Sequence, residues 1–318
     1  MLQLTAILVV GLILLVWSAE RFVSGAVVVA ANLGVSKIVI GLTIVSIGTS
    51  APEILVAIAA SLEAAPKLAI GNAIGSNIAN IGLVLGATAI AAPIPFDPQL
   101  IKNELRWLIG ATLLALLCLA NLYLGWVDGL ILLAGLGLIL YRMRSKQRLQ
   151  PELLEIVSEE LPETPPMPTR KGILWLTIGL LLLLFSAEIV TYAAVEIAGL
   201  LGIDELIVGL TIVAIGTSLP ELAASVSAAL KGHSDIAIGN IIGSNIINVL
   251  GVLSVPALMY PIEIDPVVLW RDYGVMTALT LALILFAHWR KLVSRLEGAL
   301  MLTVWLGYNL ILYLQASG

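Results

Sequence analysis

The sequence predicts an all-α polytopic membrane protein: ten transmembrane helices built as two inverted five-helix repeats, with the N- and C-termini outside. Three observations predict it. The 318 residues are 60% hydrophobic and only 12% charged, with a mean hydropathy of +1.07, whereas soluble domains hold roughly 45–50% apolar and about 25% charged residues. The apolar residues also fall into blocks close to the 20 or so that a helix needs to cross about 30 Å of hydrocarbon. Finally, two distinctive segments of the first half recur in the second.

The blocks run at about 2–31, 37–62, 67–91, 101–124, 127–142, 171–200, 205–230, 235–259, 268–288 and 297–315. The first has no basic segment ahead of it, so no cleavable signal peptide is expected. Lys and Arg are retained on the cytoplasmic side of membrane proteins. With the N-terminus outside, only Lys67 and Arg271 of the 16 Lys and Arg residues fall on the outer side. The polar stretch 143–170 separates blocks five and six; it starts basic, turns acidic (Glu152, Glu155, Glu159, Glu160, Glu163) and then proline-rich. It reads as a solvated cytoplasmic linker between a first repeat at 1–142 and a second at 171–318. The linker has no D-x-[DN]-x-[DN]-G pattern of the kind a calcium loop needs. The single Cys118 lies within an apolar block and can form no intrachain disulfide. A soluble enzyme, a nucleic-acid binder and a secreted disulfide scaffold are excluded.

GLTIVSIGTSAPE at 41–53 recurs as GLTIVAIGTSLPE at 209–221, identical at eleven of thirteen positions. GNAIGSNIANIGLVLG at 71–86 recurs as GNIIGSNIINVLGVLS at 239–254, identical at ten of sixteen. Both pairs are offset by 168 residues, as are Ser18-Ala19-Glu20 and Ser186-Ala187-Glu188. Five spans per repeat is an odd number, so the second repeat enters the membrane upside down. Inverted repeats place a binding site at their interface near the midplane.

Glu53 and Glu221 lie near the middles of their blocks, where a carboxylate is costly and marks function by default. No basic residue sits at comparable depth to neutralise them. Pro52 and Pro220 precede them, and a proline cannot bond the carbonyl four residues back, here that of Gly48 or Gly216. The segments Gly48-Thr49-Ser50 and Gly216-Thr217-Ser218 are poor helix formers, so a mid-membrane break is expected in both copies. Thr49 and Glu53 are four apart and share one helix face, as do Thr217 and Glu221. Ser76 with Asn80, and Ser244 with Asn248, repeat that spacing and add oxygens near midplane. Gly71, Gly75, Gly239 and Gly243 suit close helix packing. Asn72, Asn77, Asn240 and Asn245 suit ion contact or supporting hydrogen bonds equally. Two carboxylates with hydroxyl, amide and carbonyl oxygens, and no thiolate or imidazole, form a hard-cation site. Zinc and copper are disfavoured because His233 and His288 belong to loop ends.

GTSAPE and GTSLPE paired with two GNxIGSN segments resemble the alpha repeats of the cation/calcium exchanger superfamily, particularly its prokaryotic sodium/calcium exchanger branch. That resemblance implies that Glu53 and Glu221 chelate calcium while flanking oxygens form sodium sites. The implied ligands are Thr49, Ser50, Ser76 and Asn80 with Thr217, Ser218, Ser244 and Asn248, joined by the carbonyls of Ser46 and Ala214. The position of Asn248 is often Asp in sodium/calcium exchangers, and Ala51 replaces the more usual Leu. The proton-coupled branch typically carries acidic residues in the GN-containing helices, and here those positions are neutral.

The expected function is secondary antiport of calcium against sodium by alternating access, in a prokaryotic inner membrane. A proton-coupled cation antiporter of the same fold is the alternative. An intramembrane enzyme would need an embedded His or a midplane Asp, and a primary pump a phosphate-binding loop; the sequence holds none of these. No cofactor, nucleic acid or obligate protein partner is expected, only the transported ions and the bilayer.

Overall fold

The computed structural model describes residues 1–96, 98–147, 167–201 and 214–317. Residues 148–166 of the expected linker and 205–213 at the start of the seventh expected span lie outside the described residues. The chain opens with helices α1 (Leu2–Leu33), α2 (Lys37–Ile40), α3 (Ser46–Thr49) and α4 (Ala51–Leu62). Next come α5 (Pro66–Ala79) and α6 (Gly86–Ala91), then strand β1 (Ile94–Pro95), α7 (Pro98–Leu119), β2 (Tyr123–Leu124) and α8 (Trp126–Gln147). The remainder holds α9 (Thr169–Leu200), α10 (Ala214–Thr217), α11 (Leu219–Leu230), α12 (Ser234–Ile247) and α13 (Ser254–Met259). It ends with β3 (Ile262–Glu263), α14 (Gly274–Trp289), β4 (Leu292–Val293) and α15 (Arg295–Ser317). Wider π-helical turns sit at Gly41–Val45, Asn80–Leu85, Asn248–Val252 and Val268–Tyr273.

Among the described residues, seven helices are long and apolar enough to cross a membrane, and the α2–α4 run, bent by 42°, makes an eighth. Helix α7 has 22 residues but carries Lys102, Glu104 and Arg106. Of the seventh expected span only α10 and α11 are described.

Burial sorts the helices into inside and outside. The motif-bearing runs Pro66–Ala91 and Ser234–Met259 are 78% and 83% buried, against 22–33% for the other spans. The long α1 and α9, 32 residues each, measure about 48 Å at 1.5 Å per residue and must tilt to fit a bilayer of about 30 Å. Helix α1 stops at Gly34, whose φ of 63° lets its N–H return to the Ala30 and Ala31 carbonyls. The two long helices pack antiparallel, with Gly25 against Gly172 and Leu176, Phe22 against Gly179, and Gly11 against Val190. At their crossing the Ser18 and Ser186 hydroxyls lie 3.4 Å apart.

Glycine brings the inner run against its neighbour. A Cβ at Gly239 would meet the Ile38 carbonyl oxygen at 2.6 Å, and one at Gly243 would meet that of Leu42 at 2.6 Å. Helix α12 thus lies backbone to backbone on the π turn Gly41–Val45. Two short antiparallel ladders stand outside the all-helical expectation: Ile94–Pro95 pairs with Leu292–Val293, and Tyr123–Leu124 with Ile262–Glu263. Both pairs lie in connections, where backbone groups near hydrocarbon need partners.

Candidate functional site

The expected breaks are present in both copies. Helix α3 ends at Thr49, Ser50 turns out of helical geometry (φ −81°, ψ 8°), and α4 restarts with Pro52 in its first turn. Ser218 does the same (φ −91°, ψ 2°) between α10 and α11, with Pro220 following. A proline in the first helical turn has no intrahelical bond to lose. Glu53 and Glu221 therefore fall in the first turns of α4 and α11, both fully buried at 0% exposure.

The breaks turn each half toward the other. Ser50 Oγ donates to Glu221 Oε1 at 3.1 Å. Thr49 Oγ1 donates to Asn240 Oδ1 at 3.0 Å, which engages it across the interface. Asn240 is a junction: its Nδ2 donates to Ser225 Oγ at 3.0 Å and to the Glu221 carbonyl at 3.4 Å. Asn72 Nδ2 likewise donates to the Glu53 carbonyl at 3.1 Å. These two asparagines hold the backbone of the glutamates. The carboxyl groups of Glu53 and Glu221 are near enough to repel when both are ionised. Ser76 lies beside Glu53, and Thr49 and Ser244 beside Glu221.

The remaining expected residues surround this pair. Asn80 and Asn248 are fully buried and each opens a π turn, a local widening frequent at functional sites. Both oxygens of Glu53, Oε2 of Glu221, the hydroxyls of Ser218 and Ser244, and both amide groups of Asn80 and Asn248 are buried without a hydrogen-bond partner. An unsatisfied buried polar group costs about 1–3 kcal/mol, so such a concentration suits a ligand that satisfies them together. A hard cation does so, since each of these side chains has an oxygen to present. Among the described residues no group of three or more His, Cys, Asp or Glu could hold a metal. The arrangement rests on two carboxylates and neutral oxygens, unlike a zinc centre.

Two expected contributions are differently disposed. The Ser46 carbonyl accepts the Ser50 N–H at 2.9 Å and Thr49 Oγ1 at 3.4 Å, so it is already engaged. Ala214 opens α10, and the Ser218 N–H turns to the Ile215 carbonyl at 3.1 Å. Thr217 closes α10. Of the ambiguous asparagines, Asn77 donates to Met276 Sδ at 3.4 Å, and the Asn245 amide is buried without a partner. Ser225 was not foreseen: its counterpart 168 residues earlier is Ala57, so the repeat carries no signal for it.

The pairing of GTS-x-PE breaks with buried GN-x-IGSN helices has a match among known families. The chain matches the family described as sodium/calcium exchanger protein over residues 3–143 and 171–314. It belongs to that family. The putative antiporter CaxA of Alkalimonas amylolytica is 47% identical over 98% of this chain and 99% of its own length. The inner membrane protein YrbG of Escherichia coli is 40% identical over 92% of this chain and 90% of its own. A solved structure of the sodium-calcium exchanger NCX_Mj, soaked with sodium and calcium, superposes with a TM-score of 0.82 at 36% identity over 96% of each chain. As a member of the exchanger family, the protein is a membrane antiporter of sodium and calcium.

Proposed function

We propose that this exchanger moves calcium against sodium by alternating access at a midplane site built on Glu53 and Glu221. Ten spans form two inverted halves, 1–142 and 171–318, joined by a cytoplasmic linker at 143–170, with both termini outside. The antiparallel packing of α1 on α9, equivalent helices under the 168-residue offset, supports the inversion. The inner-membrane relative supports residence in a prokaryotic inner membrane.

One observation carries the reading: two fully buried carboxylates from repeated motifs stand among unpartnered buried oxygens, and none of the ion pairs among the described residues involves either of them. Two carboxylates balance one calcium ion, whose six to eight oxygen ligands the Ser76, Asn80, Ser244 and Asn248 side chains help to complete. Ser50, Ser218, Thr49, Thr217 and the carbonyls of Ser46 and Ala214 flank that pair and suit sodium, which takes neutral oxygens. The Ser46 carbonyl also accepts the Ser50 N–H, so an ion there would share that oxygen with the α3–α4 break.

The test is radiolabelled calcium flux in proteoliposomes under imposed sodium, potassium or proton gradients. The parent is expected to release calcium only when sodium is offered opposite. Glu53→Gln and Glu221→Gln, monodisperse in detergent, are expected to lose at least about 100-fold in flux, since a divalent charge is then half-balanced at low dielectric. Normal flux in either variant removes the site. Calcium movement driven by a pH gradient in sodium-free buffer, and unchanged by sodium, makes the protein a proton antiporter instead.

A further inference from the structure

The two halves do not close on their long helices alike. Helix α1 packs along α11, whereas α9 packs on α10, α11 and α3 and makes no comparable packing on α4. At the foot of the α1–α11 packing Lys231, the residue after α11, turns toward α1. Its Nζ lies 3.7 Å from Glu20 Oε2 and donates to the Glu20 carbonyl at 3.3 Å and to Ser24 Oγ at 3.4 Å. Burial, with Lys37 and Lys231 nearby, holds the neighbouring His233 imidazole below its ordinary 6.5. At neutral pH it adds no charge.

The 168-residue offset turns this cluster into its opposite. Lys231 corresponds to Glu63, Glu20 to Glu188, and Ser24 to Tyr192. Under the inverted-repeat reading, a closure that set α9 on α4 would bring two carboxylates together, with a bulky phenol where the serine acceptor stands in the first cluster. Like charges meet where opposite charges did.

We infer that Glu20, Ser24 and Lys231 form a latch that holds the α1–α11 side shut, and that its charge-reversed counterpart at Glu63, Glu188 and Tyr192 leaves the other side without one, so the two access states are unequally populated. With Lys231 on the cytoplasmic side, the favoured state is closed to the inside. This inference rests on the inverted-repeat reading above. A half-exposed ion pair shifts a two-state equilibrium only modestly, about two- to fivefold, enough to set which face waits open for its ion and too little to stop turnover.

The experiment reads access directly. In a Cys118→Ala background, Ala228→Cys on α11 and Ala60→Cys, its counterpart on α4, are buried reporters for a membrane-impermeant maleimide applied from either side of oriented vesicles. Lys231→Glu is expected to raise inside labelling of Ala228→Cys about two- to fivefold, and Glu20→Lys added to it to return the rate to that of the parent. Glu63→Lys is expected to build the missing latch against Glu188, slowing outside labelling of Ala60→Cys and quickening inside labelling of Ala228→Cys. Lys231→Gln covers a Lys231→Glu protein that fails to fold and is expected to give a smaller change of the same sign. Unchanged labelling in Lys231→Gln and Glu63→Lys overturns the latch, as does a charge swap that restores nothing. Calcium–sodium exchange by the parent is scored separately, so loss of the transport reading and loss of the latch remain distinct results.

Discussion

At the scale of single residues, neutral side chains define this site as much as charged ones. Asn240 ties Thr49 of one half to Ser225 and the Glu221 backbone of the other, a supporting role that its GN motif left open. Asn248 stands where many sodium/calcium exchangers carry Asp, fully buried with both amide atoms unpartnered. Asn248→Asp adds a third carboxylate and one more acceptor for a cation. It is expected to tighten calcium binding about tenfold, or about 1.4 kcal/mol, and to change the pH dependence of exchange, since the added carboxyl is protonatable. Isothermal titration and flux from pH 6 to 9 check both; indistinguishable behaviour at every pH takes Asn248 away from the ion. The oxygens at Glu53, Glu221, Ser76, Asn80, Ser244 and Asn248 were legible because the chain states them twice. Ser225 was not, because Ala57 stands in the other copy.

At the scale of elements, proline and glycine divide the work. Pro52 and Pro220 place the breaks, and these were readable because a missing N–H is a covalent fact. The glycines were readable only as a packing signature, and their partners come from the fold. Gly239 faces the Ile38 carbonyl, so Gly239→Ala forces the α12 backbone off the π turn at Gly41–Val45. It is expected to cost about 1–3 kcal/mol and to lower the detergent melting temperature. Gly110 on α7 has nothing within 4 Å of an added Cβ among the described residues, and Gly110→Ala is expected to be neutral or slightly stabilising. Equal melting temperatures for the two variants would remove the close approach from the account. The π turns at Asn80 and Asn248 left no mark in the apolar pattern, because slipping from four- to five-residue bonding changes the hydrogen-bond register without changing which residues are apolar.

At the scale of the whole molecule, orientation is the expectation most directly open to test. Lys67 and Arg170 are both exposed, each the second residue of its helix, α5 and α9 respectively. In a Cys118→Ala background, Lys67→Cys is expected to react with an impermeant maleimide on intact cells, and Arg170→Cys only after the membrane is opened. The reverse pattern turns the protein over. The small ladders Ile94–Pro95 with Leu292–Val293 and Tyr123–Leu124 with Ile262–Glu263 each join an early connection to a late one. They bind the two halves together away from the site and leave α1 and α9 as the outer pair.

What the sequence by itself determined is what repeats or what hydrocarbon forbids: a largely helical membrane chain, with seven helices long enough to span among the described residues, from the cost of polar backbone in lipid; the paired buried glutamates, from the cost of charge at that depth; and the two breaks, from proline. The exchanger family was legible in the same segments, since the cation site is made of them. Only the tertiary structure decided which oxygens are engaged across the interface, through Ser50 to Glu221 and Thr49 to Asn240, and that α1 packs along α11 while α9 makes no comparable packing on α4. The physical reason is the same for both. Two nearly identical motifs carry identical local preferences, so a difference between them can arise only from the neighbours each meets, and Lys231 beside Glu20 against Glu63 and Glu188 is a relation between residues far apart in the chain.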